Sequence, residues 1–392
     1  MGLERIRRLV SLLGMPQHRF ASIHVVGTNG KSSVAEMTGA LLRAHGKAVG
    51  VYLSPHTERW SERVRIGGAE IAPGEFAAAA ERVAQSIETV NRTLAEDESV
   101  TQFEAVTAIA FVALASAGVE FGVIEAGLGG RLDATNVLPS GATVLTSVGL
   151  EHTEWLGDTQ EAIAAEKLAV LRDHTTLVIG RLDEGARELA IRTAAERNAR
   201  LIAAGELDPG VRLAVPGAYQ RRNFAVATAV AGATLGALDH DRVQTVAEGL
   251  ELPGRVQLLE GDPPVILDAA HNPDGARALA EALPEAVGQA PVVACLASLA
   301  DKDAAGVLAA LAPRLAAAIC TELPGERLAR AGRPGAAATD AARLAELARD
   351  AGLTAVDAVP EPAAAVERAR ELARGQGGVA LVTGSHYLLS YA

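Results

Sequence analysis

Hydrophobic positions along the chain fall into two alternating rhythms. Short apolar runs at residues 22–26, 48–53 and 121–125 have the length of buried strands, and helical spacing fills the stretches after Lys31, over 74–94 and from Phe103. The last third repeats the order, with strand-like runs at 265–267, 292–295, 316–321 and 379–383 between Ala-rich helices such as 336–348. Such alternation predicts an α/β chain, a doubly wound sheet followed by a smaller Rossmann-like α/β domain. The helical pattern breaks at Leu252, Pro253, Gly254 and Arg255, which puts the expected boundary between 1–256 and 257–392.

The first residues place Leu3, Ile6, Leu9, Val10 and Leu13 on one helical face with Arg5, Arg7 and Arg8 between them. Charges interrupt the apolar run, no small-residue cleavage site follows, and Ile6 breaks the myristoylation pattern, so an amphipathic helix is expected and not a signal peptide. The longest apolar stretch, 105–117, is too short to span a bilayer and reads as a buried helix. A formal net charge of -12 argues against nucleic acid or an anionic membrane as partner and confines any anion pocket to a local basic site. Cys295 and Cys320 match no metal or redox spacing and read as buried apolar residues of a reducing compartment. The expectation is a cytoplasmic monomer acting on small molecules.

One segment carries distinct chemistry. His24, Val25 and Val26 lead out of a strand into Gly27, Thr28, Asn29, Gly30, Lys31, Ser32 and Ser33, where a helix begins. Glycines let backbone N–H groups approach phosphate oxygens, the helix N-terminus adds its dipole, and Lys31 supplies a point charge for the terminal phosphates. A nucleotide triphosphate fits this loop, although Val25 stands where the general P-loop has its first glycine. Lys31, Lys47, Lys167 and Lys302 are the only lysines in an Arg-rich chain, which suggests chemistry that a planar guanidinium cannot perform.

The string from Gly27 to Lys31 resembles the ATP loop of the Mur ligase superfamily. Further segments resemble the folylpolyglutamate synthase and dihydrofolate synthase family within it: Ser54-Pro55-His56, the run Glu62 to Ile66, Phe103-Glu104, and Glu125 through Asn136 with its Gly127 to Gly130 turn. Cell-wall Mur ligases carry a whole nucleotide-sugar domain before this loop, for which the single helix expected here leaves no room.

The resemblance implies ATP, magnesium (two ions expected), a pterin or folate and L-glutamate as ligands. It casts 1–256 as the P-loop-type ATPase domain. Ser33 and Glu104 supply hard oxygens suited to Mg²⁺, and the resemblance adds His152 as a further metal ligand. Lys167 corresponds to a lysine that the family carbamylates into a carboxylate-like ligand, which demands a depressed pKa. Lys31, Glu104, His152 and Lys167 are thus the expected catalytic group. Gln220 and Asn223 match an element contacting adenine, with Tyr219 in place of the usual His. Arg255 is expected at the phosphates, and Asp268 and His271 complete the nucleotide site. Ser54, Pro55, His56, Arg131 and Asp133 are expected at the pterin or folate. Asp301, Lys302 and Asp303 resemble a family turn, and His386 replaces an apolar residue of a cleft-lining loop.

The expected reaction has the substrate carboxylate attack the γ phosphate, after which the glutamate amine displaces phosphate. Domain closure would keep water from the mixed anhydride. Two alternatives stay open: a Mur-like ligase for a non-folate carboxylate, suggested by Tyr219 and by Ser32 where the family generally has Gly, and a non-catalytic nucleotide-binding relative.

Overall fold

The apolar run that includes Ile23, Val25 and Val26 is buried on both faces, which is the condition for a central parallel strand. In the computed structural model, which describes residues 2–392, it forms β1 (Ala21–Val26). The first sheet adds β2 (Val49–Tyr52), β3 (Val64–Ile66), β4 (Ala69–Glu70), β5 (Phe121–Glu125), β6 (Ala142–Leu145), β7 (Thr176–Ile179) and β8 (Arg200–Ala203) in the order β4-β3-β2-β5-β1-β6-β7-β8. The strands β2, β5, β1, β6, β7 and β8 run parallel, while β3 and β4 extend one edge antiparallel.

Register decides where the chemistry gathers. Val25 pairs with Glu125, Val26 with Leu145, and Tyr52 with Ile124, so β1, β2, β5 and β6 all end at one edge. The loops that follow them, near residues 27, 53, 126 and 146, therefore emerge side by side. That carboxyl edge is where ligands bind in open α/β sheets.

Helices α1 (Glu4–Leu12), α2 (Lys31–Ala44), α3 (Pro73–Asn91), α4 (Gln102–Ser116), α5 (Thr153–Leu156), α6 (Gln160–Leu168) and α7 (Glu184–Glu196) flank this sheet. Ile6, Leu9 and Val10 of α1 join Phe111 and Leu114 of α4 and Ile124 of β5 in one core cluster. A second cluster joins Val26, Leu145, Leu177 and Ile179 to Leu168 and Ala190. The buried helix expected from Phe103 is α4, and no helix among the described residues is long and apolar enough to cross a membrane.

The chain divides into two compact units. The first holds the residues up to Arg212 together with Arg221–Gly249, and the second holds Leu213–Gln220 and Leu250–Ala392. The division thus falls at Gly249, ahead of the expected 256, and sets a short earlier segment with the second unit. Helix α8 (Ala218–Leu235) runs through the end of that segment and is followed by α9 (His240–Glu248). The second sheet orders β13-β12-β11-β14-β10-β9, from β9 (Gln257–Leu259), β10 (Val265–Leu267), β11 (Val292–Leu296), β12 (Ala317–Cys320), β13 (Val356–Ala358) and β14 (Val379–Thr383). Only β9 is antiparallel to its neighbour. Helices α10 (Pro273–Val287), α11 (Ala304–Leu311), α12 (Gly325–Arg330), α13 (Ala341–Asp350) and α14 (Pro362–Gly375) accompany it. The Ala-rich stretch from 336 is helical only from Ala341, because Asp340 accepts from the N–H groups of Ala342 and Arg343 and starts α13 there. Cys295 and Cys320 are free and buried.

The start of α4 gives Glu104 a structural role. Thr101 Oγ1 accepts from the Glu104 N–H, and Glu104 Oε2 accepts from the Thr101 N–H and hydroxyl, a reciprocal capping box. The same oxygen takes Arg5 Nε at 3.1 Å, which ties α1 to α4. Glu104, expected as a magnesium ligand, thus accepts from Thr101 and Arg5 through Oε2. Glu104→Ala is expected to lower stability in urea unfolding by about 1–2 kcal/mol while kcat of the folded enzyme stays near wild type. A collapse of metal-dependent turnover at unchanged stability would return Glu104 to the metal.

Candidate active site

Residues 27–30 turn straight from β1 into α2, with Gly27 at φ +156° and Gly30 at φ +83°. A Cβ on Gly27 would run into the Thr146 hydroxyl, and one on Gly30 would lie 2.6 Å from Asn223 Oδ1. Both glycines are required by close approach as well as by backbone conformation. Asn223 of α8 is thereby placed against the loop.

The segment leaving β6 clamps this loop. The Thr28 N–H donates to Ser147 O at 2.9 Å, and the Asn29 N–H donates to Ser147 Oγ at 2.9 Å. Thr146 Oγ1 donates to Asn29 O at 2.7 Å, while Thr28 Oγ1 both donates to Gly149 O and accepts from the Gly149 N–H. The first amides of α2 have no partner within the helix and carry its positive dipole end. Lys31 Nζ folds back to Thr28 O at 2.9 Å, and Ser33 is buried in the first helical turn.

At the end of β5, Glu125 is 1% exposed. Its Oε1 accepts from Ser32 Oγ at 3.1 Å and its Oε2 from the Ser54 N–H at 3.0 Å. One carboxylate therefore joins the loop after β1 to the loop after β2. The sequence string contained Glu125 without giving it a role. The available signal was its position, an acid ending a buried strand directly before a glycine-rich turn.

Lys167, on the last turn of α6, is 3% exposed and donates from Nζ to Gly27 O at 2.8 Å. Burial first, then the charge of Lys31, push its pKa down to about 7 against the opposing pull of Glu151 and Asp133. Lys31, Lys167 and Glu151 thus share one electrostatic neighbourhood. His152 sits in the left-handed region at φ +52°, with Nε2 3.8 Å from Glu151 and Nδ1 4.0 Å from Glu154.

Two residues expected at the substrate have structural partners. Asp133 is buried, and its carboxylate accepts from the N–H groups of Gly127, Leu128 and Thr135 and from the Thr135 hydroxyl. Burial raises its pKa and these bonds oppose the rise. The carboxylate shapes the glycine turn instead of reaching outward. Arg131 pairs with Glu166 at 2.8 Å, and Gly130 passes so close to the carbonyls of Glu166 and Lys167 that no Cβ fits. The turn is thereby fixed against the end of α6. In the loop after β2, the Ser54-Pro55 peptide is cis, while buried His56 accepts from Arg63 Nε at 2.9 Å and lies 4.2 Å from the Trp60 ring.

The second unit holds its own polar group. Asp268 ends β10 and accepts from the Val256 N–H at 2.9 Å and the Ala270 N–H at 2.8 Å, which secures Val256 at φ +50°, a costly conformation for a β-branched residue. Arg255 bonds Gly254 O and lies near Asp268, restraining the rise that burial imposes on its pKa. His271 Nδ1 donates to Ala269 O at 2.9 Å, and its ring is 5.7 Å from that of His386. Gln220 is fully buried and Tyr219 packs on the α10 core, its hydroxyl pKa raised by burial first and then by Asp268. Asp303 caps α11 through the Gly306 N–H, and Asp301 pairs with Arg333, so the charged turn around Lys302 has a structural role.

For a divalent cation, the fit rests on donor chemistry. Among the described residues no three His, Cys, Asp or Glu side chains gather to hold a metal. Mg²⁺ typically takes one or two carboxylates and completes its shell with waters and substrate phosphates, so Glu125 beside Ser32 and Ser54 suits it.

A family model described as Mur ligase, glutamate ligase domain, matches residues 254–386. The chain is 33% identical over 350 residues to a dihydrofolate synthase/folylpolyglutamate synthase of Mycobacterium tuberculosis, covering 79% of this chain and 72% of that protein. Its fold is similar to that of Mycobacterium tuberculosis folylpolyglutamate synthase complexed with ADP and AMPPCP, with TM-score 0.90 and 31% identity over 100% of this chain and 94% of the other. It is also similar to a bifunctional folylpolyglutamate synthase/dihydrofolate synthase with Mn, AMPPNP and L-glutamate bound, with TM-score 0.82 and 32% identity over 100% and 93%. Such likeness over most of both sequences reaches beyond a shared fold, and the chain belongs to the folylpolyglutamate synthase and dihydrofolate synthase family of the Mur ligase superfamily.

Proposed function

We propose that the cluster around Lys31 is the centre at which this chain carries out its family's reaction. The chain is an ATP-dependent amide ligase that adds L-glutamate to dihydropteroate, to (tetrahydro)folate polyglutamates, or to both, through an acyl phosphate. ATP and a divalent metal serve the reaction. The observation that carries the assignment of residues is Glu125, bonded at one oxygen by Ser32 of the ATP loop and at the other by Ser54 of the next loop.

In this reading residues 27–33, Lys31 among them, hold the triphosphate, with Asn223 beside them. Glu125, Ser33 and His152 hold the metal, which neutralises phosphate charge when bound. The loop of Ser54, Pro55 and His56 and the turn of Gly127 to Arg131 face the pterin, Asp133 serving through that turn. Residues 1–256 act as the ATP-binding domain. Residues 257–392 act as the glutamate ligase domain, and Gln220, Arg255, Asp268 and His271 of the second unit are its proposed nucleotide contacts. The substrate carboxylate oxygen attacks the γ phosphorus in line and ADP leaves. The glutamate amine then attacks the acyl carbon, the C–O bond breaks, and phosphate departs as the amide forms. A cytoplasmic monomer is the form in which this cycle is expected to run.

Lys167 is proposed to be carbamylated. A buried amine with a pKa near 7 is substantially neutral at physiological pH, and only the neutral amine combines with CO₂.

Purified protein with ATP, Mg²⁺ and L-glutamate is expected to release ADP only when dihydropteroate or tetrahydrofolate is added. Lys31→Ala should lower kcat by about 10²- to 10³-fold, and release that ignores every pterin would refute the substrate assignment. With ¹³C-bicarbonate, a carbamate resonance should grow as pH rises through about 7 and be missing from Lys167→Arg. Full activity of Lys167→Arg, or of wild type in CO₂-depleted buffer, would refute the carbamate.

A further inference from the structure

Ser32 follows Gly30 and Lys31 directly, at the position where the general P-loop places a hydroxyl on the nucleotide's Mg²⁺ and where this family generally has Gly. Its side chain does not cap α2. The Oγ–H instead crosses from the loop to the end of β5 and donates to Glu125 Oε1 at 3.1 Å.

That bond acts on an acid with little freedom left. Glu125 is 1% exposed, and its second oxygen already takes the Ser54 N–H. With Oε2 held from one side and Oε1 from the other, rotation of the carboxylate about its terminal bond is blocked. The carboxylate is therefore fixed in direction.

We infer that Ser32 is a positioning residue, through which this chain fixes Glu125 for a divalent cation more firmly than a glycine at that place allows. The inference rests on the metal and ATP reading above. Hydrogen bonds that orient a ligating carboxylate are commonly worth 10- to 100-fold in metal affinity. A bond on a half-buried hydroxyl belongs at the low end, about tenfold. Threonine keeps the hydroxyl, whereas alanine removes it without the backbone freedom that glycine would add to the first turn of α2.

The test is Mn²⁺ binding to the full chain in the presence of AMPPNP, followed by the electron paramagnetic resonance signal of free Mn²⁺, which needs no turnover. Ser32→Ala and Ser32→Gly are expected to weaken Mn²⁺ about tenfold, and Ser32→Thr to restore wild-type affinity. In turnover assays the same loss should appear as a raised metal requirement. If wild type binds Mn²⁺ and both hydroxyl-free variants bind it equally well, the inference on Ser32 falls and the active-site reading survives. If wild type itself binds no Mn²⁺ with AMPPNP, that reading falls and this inference with it.

Discussion

The site depends on the clamp between the loop after β1 and the segment leaving β6. A glycine-rich loop left alone would sample many conformations and lose much of its binding energy to ordering. Here Thr28 and Asn29 are bonded at backbone and side chain to Ser147, Gly149 and Thr146. The clamp works because β1 and β6 are adjacent parallel strands whose ends are in register. Sheet order thereby becomes loop order, and a preorganised cradle follows from strand pairing.

The other groups are referred to this cradle. Lys167 reaches it through Gly27 O, Asn223 through Gly30, and Glu125 through Ser32. Burying Lys167 beside Lys31 costs stability, and the depressed pKa of Lys167 registers that cost. Asp133 stands one step behind. Its carboxylate organises residues 127–135, and that turn packs on the end of α6 where Lys167 begins. Backbone bonds, a buried acid and a buried amine are thus mutually dependent, and replacing any of them disturbs the others' geometry.

Much of this was legible in the sequence because the signals are local. Apolar runs of strand length marked β1, β5, β10, β11 and β14, and the glycine and lysine pattern marked the cradle. What escaped needs three dimensions. Glu104 and Glu125 are both acids at element ends, and sequence alone gave a role only to Glu104, although Thr101 with Glu104 three residues on is itself a capping-box signature. The structural role of Asp133 escaped because its four donors come from backbone and hydroxyl groups that no side-chain pattern reveals. The short strands β3, β4 and β13 and the clamp residues Thr146 and Ser147 depend on partners far along the chain.

The central claim is that this cradle presents the γ phosphate of ATP to a carboxylate oxygen. Labelling the substrate carboxylate with ¹⁸O and analysing the phosphate released tests it most directly. An acyl phosphate cleaved at its C–O bond carries one carboxylate oxygen into each phosphate formed, and that is the predicted result. Phosphate free of label, alongside full amide formation, would contradict the account.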